Sequence, residues 1–223
     1  MRYRFKYKSI HIHIMAVKHI IFDLGNVLFD LDLGQTGRML HTLAGESYAS
    51  AHAKLLRDRV FEMYEVGGMN TEEFLNTVRL SIVPPLQAEQ VEQAWNSIFV
   101  EFPRARLDLL LRLRQRYQVF LLSNINDLHA NWIDDYLLRE YGVTDFQHTY
   151  FDGVYYSHLI RLRKPNREIY EYVLADAELV PEETVFFDDL EPNVLAARQV
   201  GIQAFVHPLG MDIGQHLKER GLD

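Results

Sequence analysis

Four short stretches carry residues able to hold a phosphate and a divalent cation. Ile20-Ile21-Phe22-Asp23-Leu24-Gly25-Asn26-Val27 is an apolar run that ends in a carboxylate and a turn containing glycine. A buried parallel strand delivers a side chain in this way to the carboxyl edge of a sheet, where open α/β proteins bind ligands. Val119-Phe120-Leu121-Leu122 ends similarly in Ser123-Asn124, a hydroxyl and an amide that can donate to a phosphate oxygen without adding charge. In Leu162-Arg163-Lys164-Pro165 the proline pushes Lys164 toward extended backbone, from which it can reach an anion across a sheet edge. Val185-Phe186-Phe187-Asp188-Asp189 repeats the opening pattern with two adjacent carboxylates, whose repulsion a cation relieves. Mg²⁺ suits that place: it prefers oxygen ligands, keeps several waters and takes one or two carboxylates together with substrate phosphate. Each stretch alone has a plain alternative: Asp23 as a capping acid, Ser123-Asn124 as a turn, Lys164 as a solvated surface charge.

These residues need a sheet to hold them, and the spacing predicts one interrupted by a large insert. From 33 to 103 the periodicity is helical, through Met39, Leu40 and Leu43, then Leu55, Leu56, Val60 and Met63, then Phe74, Leu75 and Val78, then Val91, Trp95, Ile98 and Phe99. Asn70 with Glu73 reads as a helix start with reciprocal caps, and Pro84-Pro85 separates the last two helices. This is too much helix for one crossover, so residues 15–32 and 104–223 are expected to form an α/β core and 33–103 an inserted helical cap. Within the cap, His41, Tyr64, Glu65, Gly67 and Gly68 could face a substrate, although such residues more often pack or meet solvent.

Beyond the insert, Leu107 to Leu113 marks an amphipathic helix, and His129 reads as a helix-surface histidine. His148 to Phe151 is expected as a third strand, with Asp152-Gly153 as the turn after it. Asn166 opens a helix carrying Ile169, Tyr170 and Val173. Asn193 to Val200 forms another, ended by Gly201 before the last strand, Ile202 to Val206.

Composition narrows the function classes. The 223 residues include 48% hydrophobic ones, enough for a sizeable core, and no cysteine, which excludes disulfides and thiolate metal sites and fits a reducing cytoplasm. The net charge of −8 disfavours a general nucleic-acid binder, and no apolar run approaches a membrane span. A small-molecule ligand is expected, with no nucleic acid, membrane or protein partner. Residues 1–14 are a basic extension in which Arg2, Arg4, Lys6 and Lys8 alternate with Tyr3, Phe5 and Tyr7, and His11 and His13 with isoleucines. The alternation fits an edge strand, yet Met15 resembles a second translation start, so the extension is expected to have no catalytic role. Two alternating histidines are a weak metal signal.

In this order the motifs resemble the haloacid dehalogenase-like (HAD) hydrolase superfamily, over 18–223. They are Phe22-Asp23-Leu24-Gly25-Asn26-Val27, Ser123-Asn124, Arg163-Lys164-Pro165, and Phe187-Asp188-Asp189 with Asn193; the helical insert is similar to that superfamily's helical cap. Within it the chain is similar to a bacterial subgroup that includes an α-D-glucose-1-phosphate phosphatase. The resemblance implies a Rossmann-like parallel sheet and a Mg²⁺-dependent phosphatase acting on small phosphate esters, sugar phosphates and hexose 1-phosphate among them. It implies Asp23 as the nucleophile that forms an aspartyl-phosphate. Asp23, the Gly25 carbonyl and Asp189 would hold Mg²⁺, with Asp188 and Asn193 in support. Ser123, Asn124, Lys164 and the amides around Asn26 would bind the phosphoryl oxygens.

One position departs from the family pattern. Phosphatases of this kind carry a second Asp two residues after the nucleophile, to protonate the leaving group and activate water, and here that residue is Gly25. General acid-base help of about 10²- to 10⁴-fold must then come from elsewhere or be dispensed with. A hemiacetal leaving group would need it less. Asp30 and Asp32 are candidate surrogates, although charges at a cap hinge are usually solvated. Two further readings stand beside the phosphatase: a metal-independent 2-haloacid dehalogenase, and a non-catalytic relic that binds phosphate ligands.

Overall fold

The computed structural model describes residues 16–223; the basic extension, with His11 and His13, lies outside the described residues. The first strand, β1 (His19–Phe22), is buried along its whole length. A hinge strand, β2 (Asp30–Leu31), leads into five helices: α1 (Gln35–Ala44), α2 (Ser47–Arg57), α3 (Val60–Glu65), α4 (Thr71–Ser81) and α5 (Ala88–Asn96). The return strand, β3 (Phe99–Glu101), pairs antiparallel with β2, so the insert enters and leaves on adjacent strands. Then follow α6 (Arg104–Leu113), β4 (Gln118–Ser123), α7 (Asp127–Tyr141), α8 (Phe146–Tyr150), β5 (Gly153–Tyr156) and α9 (Ser157–Ile160). The chain closes with α10 (Arg167–Asp176), β6 (Thr184–Asp188), α11 (Glu191–Gln199), β7 (Gln203–Val206) and α12 (Ile213–Glu219).

The main sheet is parallel throughout, in the order β5-β4-β1-β6-β7. Its strands alternate between two cores because side chains alternate between faces. Ile20, Phe22, Val119, Leu121, Val185 and Phe187 belong to one core, and Ile21, Phe120, Leu122 and Phe186 to the other. Both faces are covered by helices, which explains why the strands read as continuous apolar runs. A third cluster, from Leu40 to Leu128, holds the insert together around Tyr64, Phe74 and Val91. Among the described residues no helix is long and apolar enough to cross a membrane.

Two predicted elements differ. Ile98 and Phe99, read with the last helix of the insert, lie beyond α5, and Phe99 begins β3 because pairing with β2 holds the returning chain extended. Residues 148–150 form the end of α8 and Phe151 follows it as the cap, so none of the four is in a strand, and Gly153 begins the strand instead of closing a turn. Asp145 caps α8 by accepting the His148 amide, and Phe146 and Tyr150 bury one helical turn apart. Asp152 accepts the Val119 amide at 2.8 Å and so aligns the chain for β5. The reciprocal caps of Asn70 and Glu73 are present as predicted, at 2.9 and 3.0 Å.

Candidate active site

Strand register gathers the acids. β1 is central, its connections run outward on both sides, and the crevice at the carboxyl ends of β4, β1 and β6 is where such a sheet binds ligands. Phe22 pairs with Phe187 and with Leu121, so the chain delivers Asp23 beside Asp188 on one side and near Ser123 on the other. The Asp23 amide donates to the Phe187 carbonyl at 2.9 Å, carrying the pairing one residue past the strand.

Lys164 joins the two acids. Its Nζ lies 2.7 Å from Asp23 Oδ1, 2.7 Å from Asp188 Oδ2 and 2.9 Å from the Leu122 carbonyl, in a setting where the lysine is 1% exposed. All three ammonium hydrogens are therefore engaged. Burial would lower the lysine's pKa, but Asp188 and Asp23 together raise it above its ordinary value. Burial pushes the Asp23 carboxyl up to about 7 against the opposing pull of Lys164, with Asp188 adding to the rise. Asp189 is also raised, chiefly by burial.

The other predicted residues divide into those that face the cleft with free atoms and those that brace it. Ser123 lines the cleft, and its hydroxyl makes no hydrogen bond among the described residues. Asn124 instead clamps the backbone of Lys164: Oδ1 accepts the Lys164 amide at 2.8 Å and Nδ2 donates to the Lys164 carbonyl at 2.9 Å. The amide expected to bind phosphate is thus taken up by the loop. Asn26, left-handed at φ 54°, is similar: Nδ2 donates to Asp189 Oδ2 at 3.1 Å, Oδ1 accepts the Leu31 amide, and its own amide donates to the Phe29 carbonyl. Among the amides of 24–29, only that of Gly25 has no partner within the described residues.

The donor set fits a hard divalent cation. One oxygen from each of Asp23, Asp188 and Asp189 lies within 4.8 Å of the others, and these oxygens are the ligand type that Mg²⁺ prefers. Asp188 is the most encumbered of the three, since it also accepts the Leu190 amide at 2.9 Å and both of its oxygens face Asn193 Nδ2 at 2.9 and 3.0 Å.

A cleft of about 530 Å³ opens above these groups, walled by the insert and by α7. Phe61 stacks on Trp95 at 5.5 Å and Trp95 on His129 at 5.3 Å. His129 is buried, not on a helix surface. Its Nε2 donates to the Trp95 carbonyl and its Nδ1 accepts from Asn126, while burial holds its pKa down at about 4. Periodicity on α5 and α7 separately carried no sign of this stack, because its partners come from different elements. Arg59, Glu62, Glu65 and Arg163 also line the cleft. Of the other insert candidates, Tyr64 is packed against Phe74, His41 is exposed, and Gly67 abuts the core. Asp30 is held by Arg106 at 2.7 Å and Asp32 pairs with Arg38; neither lines the cleft.

The family profile described as haloacid dehalogenase-like hydrolase matches residues 17–201. The chain is 29% identical over 201 residues to a D-ribitol-5-phosphate phosphatase of Bacteroides thetaiotaomicron, covering 90% of this chain and 97% of that one. It is 30% identical to a sesquiterpene phosphatase of Aspergillus oryzae, covering 83% of this chain and 87% of that one. Among solved structures, a HAD family enzyme from B. thetaiotaomicron, crystallised in complex with magnesium and inorganic phosphate, superposes with a TM-score of 0.80. That enzyme is 32% identical, with 90% of this chain and 99% of that chain covered. By sequence and by fold, the chain belongs to the haloacid dehalogenase-like hydrolase family and is a hydrolase.

Proposed function

We propose that the protein is a Mg²⁺-dependent phosphatase that hydrolyses small phosphorylated metabolites, sugar and polyol phosphates among them, through an aspartyl-phosphate. The observation that carries this reading is the meeting of Asp23, Asp188 and Asp189 with Lys164 at one sheet edge. A phosphate dianion and a carboxylate repel, by roughly several kcal/mol near a protein surface, so positive charge must be in place before they meet. Mg²⁺ held by Asp23, Asp189 and the Gly25 carbonyl, with Asp188 and Asn193 in support, would supply much of that charge at the phosphoryl oxygens.

The chain's own residues do the rest. One oxygen of Asp23 attacks phosphorus while the bond to the leaving oxygen breaks, and water later cleaves the aspartyl-phosphate, which divides one hard hydrolysis into two steps. Lys164 acts as a fixed cation that keeps Asp23 ionised and oriented as charge develops. The Ser123 hydroxyl and the Gly25 amide, both without partners among the described residues, are the donors open to phosphoryl oxygens. Asn124 and Asn26 act through others, by holding the Lys164 backbone and the Asp189 carboxylate.

The substrate reading has two supports that pull in different directions. Gly25 favours an easily departing group, such as the hemiacetal of a hexose 1-phosphate. The relative that acts on D-ribitol 5-phosphate favours esters of ordinary alcohols as well. The test is phosphate release from hexose 1-phosphates, D-ribitol 5-phosphate and p-nitrophenyl phosphate, with Mg²⁺ and with EDTA, for wild type and Asp23→Asn. Release that requires Mg²⁺ and disappears in the variant supports the proposal. Halide release from 2-haloacids without metal, and no phosphate release, would replace it with the dehalogenase reading; ligand-induced stabilisation without any turnover would replace it with a binding role.

A further inference from the structure

Hydrolysis through Asp23 requires a proton at two moments. The leaving oxygen must gain one as its bond to phosphorus breaks, and the attacking water must lose one as the aspartyl-phosphate is cleaved. Gly25 offers no group for either. A Cβ built on it would come within 2.8 Å of Leu31 Cδ1, so a leucine methyl fills the space such a side chain would enter.

Among the described residues, five ionisable groups line the cleft outside the Asp23-Lys164-Asp188-Asp189 cluster: Arg59, Glu62, Glu65, His129 and Arg163. The two guanidinium groups do not exchange protons in the working range. Glu62 is fixed as an anion, because hydrogen bonds from Arg59 at 2.8 and 2.6 Å, with Arg163 beyond, hold its pKa down at about 2. Both ring nitrogens of His129 are engaged, so it has neither a free proton nor a free lone pair. Glu65 alone passes. Its Oε2 meets Arg163 Nη2 at 2.8 Å, its Oε1 makes no hydrogen bond among the described residues, and burial raises the carboxyl above its ordinary range.

Glu65 is also firmly placed. It ends α3, and its carbonyl accepts the Ser157 hydroxyl at 2.7 Å, which ties the insert to the core beside the cleft. Two residues on, Gly67 sits so close to the core that a Cβ there would lie 2.2 Å from the His158 carbonyl oxygen. The charged groups that face Glu65 are Arg163 and Lys164 of the core loop and Glu62 of its own helix.

We propose that Glu65, carried over the cleft by the insert, is the general acid and then the general base that Gly25 cannot be. The inference rests on the phosphatase reading. In the first step an Asp23 oxygen bonds to phosphorus, the bond to the leaving oxygen breaks, and the Glu65 proton goes to that oxygen to release an alcohol. In the second, water attacks the same phosphorus from the side the alcohol has left. Its proton goes to the Glu65 carboxylate, the bond between phosphorus and Asp23 breaks, and phosphate departs with Glu65 protonated again. One group serves both steps because leaving group and water occupy the same side.

The test compares wild type, Glu65→Gln and Glu65→Ala, with Mg²⁺, on D-ribitol 5-phosphate and on p-nitrophenyl phosphate, whose phenolate needs no proton to leave. Both variants are expected to lose about 10²-fold or more in kcat on the ribitol ester. In a rapid-quench experiment on p-nitrophenyl phosphate, the first turnover should slow by no more than about threefold while phosphoenzyme accumulates, because only the second step then needs the base. Wild type should lose the ribitol activity on an alkaline limb that Glu65→Gln lacks. An equal rise in KM on both substrates with kcat retained would overturn the proposal and make Glu65 a clamp for Arg163. Failure of wild type to release phosphate from either substrate would strike the phosphatase reading itself.

Discussion

Lys164 Nζ and Asp23 Oδ1 lie 2.7 Å apart in a site where the lysine is 1% exposed, and the same nitrogen meets Asp188 at an equal distance. One buried cation therefore holds two buried carboxylates. Lys164→Met is expected to destabilise the fold by about 3–5 kcal/mol, because removing one partner of a buried pair leaves charge uncompensated. The loss should shrink as pH falls, since protonating a carboxylate relieves it. Denaturant unfolding at two pH values checks both statements, and Lys164→Arg should not restore activity because a planar fork cannot replace a compact ammonium with three partners.

Asp188 and Asp189 are neighbours in sequence with different surroundings. Asp188 is fully buried and accepts from Lys164, Leu190 and Asn193, whereas Asp189 accepts from Asn26 at the cleft lining. Asp188→Asn should cost about 2–4 kcal/mol of stability, because its new amide hydrogens would face the Lys164 ammonium. Asp189→Asn should shift stability by less than about 1 kcal/mol and instead raise the Mg²⁺ concentration needed for half-maximal turnover. Thermal unfolding and a Mg²⁺ titration of each variant separate the two.

The parts of this site that were legible in the sequence are those delivered by single strands. Asp23, Ser123 and Asp188 each end an apolar run, and a run buried on both faces signals both the strand and its ligand-bearing end. What a side chain does once it arrives depends on residues far away in the chain, and there the reading failed. Asn124 and Asn26 looked free because their partners, the Lys164 backbone and Asp189, lie 40 and 163 positions off. His129 looked exposed because its burial is made by Trp95 from the insert. The helix at 146–150 was missed because β-forming Thr, Tyr and Phe outweighed a single capping Asp145, a case of tertiary packing overriding local preference.

The buried histidines should weaken the fold on mild acidification. His129, with its pKa held down at about 4 from an ordinary 6.5, prefers the neutral form in the fold. The unfolded chain then binds more protons between those values, so this contribution is complete above pH 6.5 and is lost as pH falls toward 4, by about 2–3 kcal/mol. His158, His207 and His216, each lowered chiefly by burial, act in the same sense. The Asp23 carboxyl, pushed up to about 7, acts in the opposite sense, so the histidine contribution is read as a difference: between pH 7.5 and 4.5 the unfolding free energy of wild type should fall by about 2–3 kcal/mol relative to that of His129→Gln.

Gly67 gives the sharpest test of how the insert is seated. Its φ of +66° lies in the left-handed region, and a Cβ would collide with the His158 carbonyl oxygen, a backbone atom that cannot swing aside. Gly67→Ala is therefore expected to cost about 1–3 kcal/mol if α3 stays docked. Releasing α3 would relieve the clash, and it would also draw Glu65 and the Arg163 pairing away from the cleft. Activity on an alkyl phosphate should then fall further than activity on p-nitrophenyl phosphate, because the ester that needs a proton depends on where Glu65 stands. Gly68→Ala is the control: its Cβ would meet the Met63 carbonyl oxygen at 3.2 Å, within its own helix end, and the two activities should fall together. Steady-state kinetics on the two substrates, set beside the unfolding free energy of each variant, distinguishes a displaced helix from a general loss of folded protein.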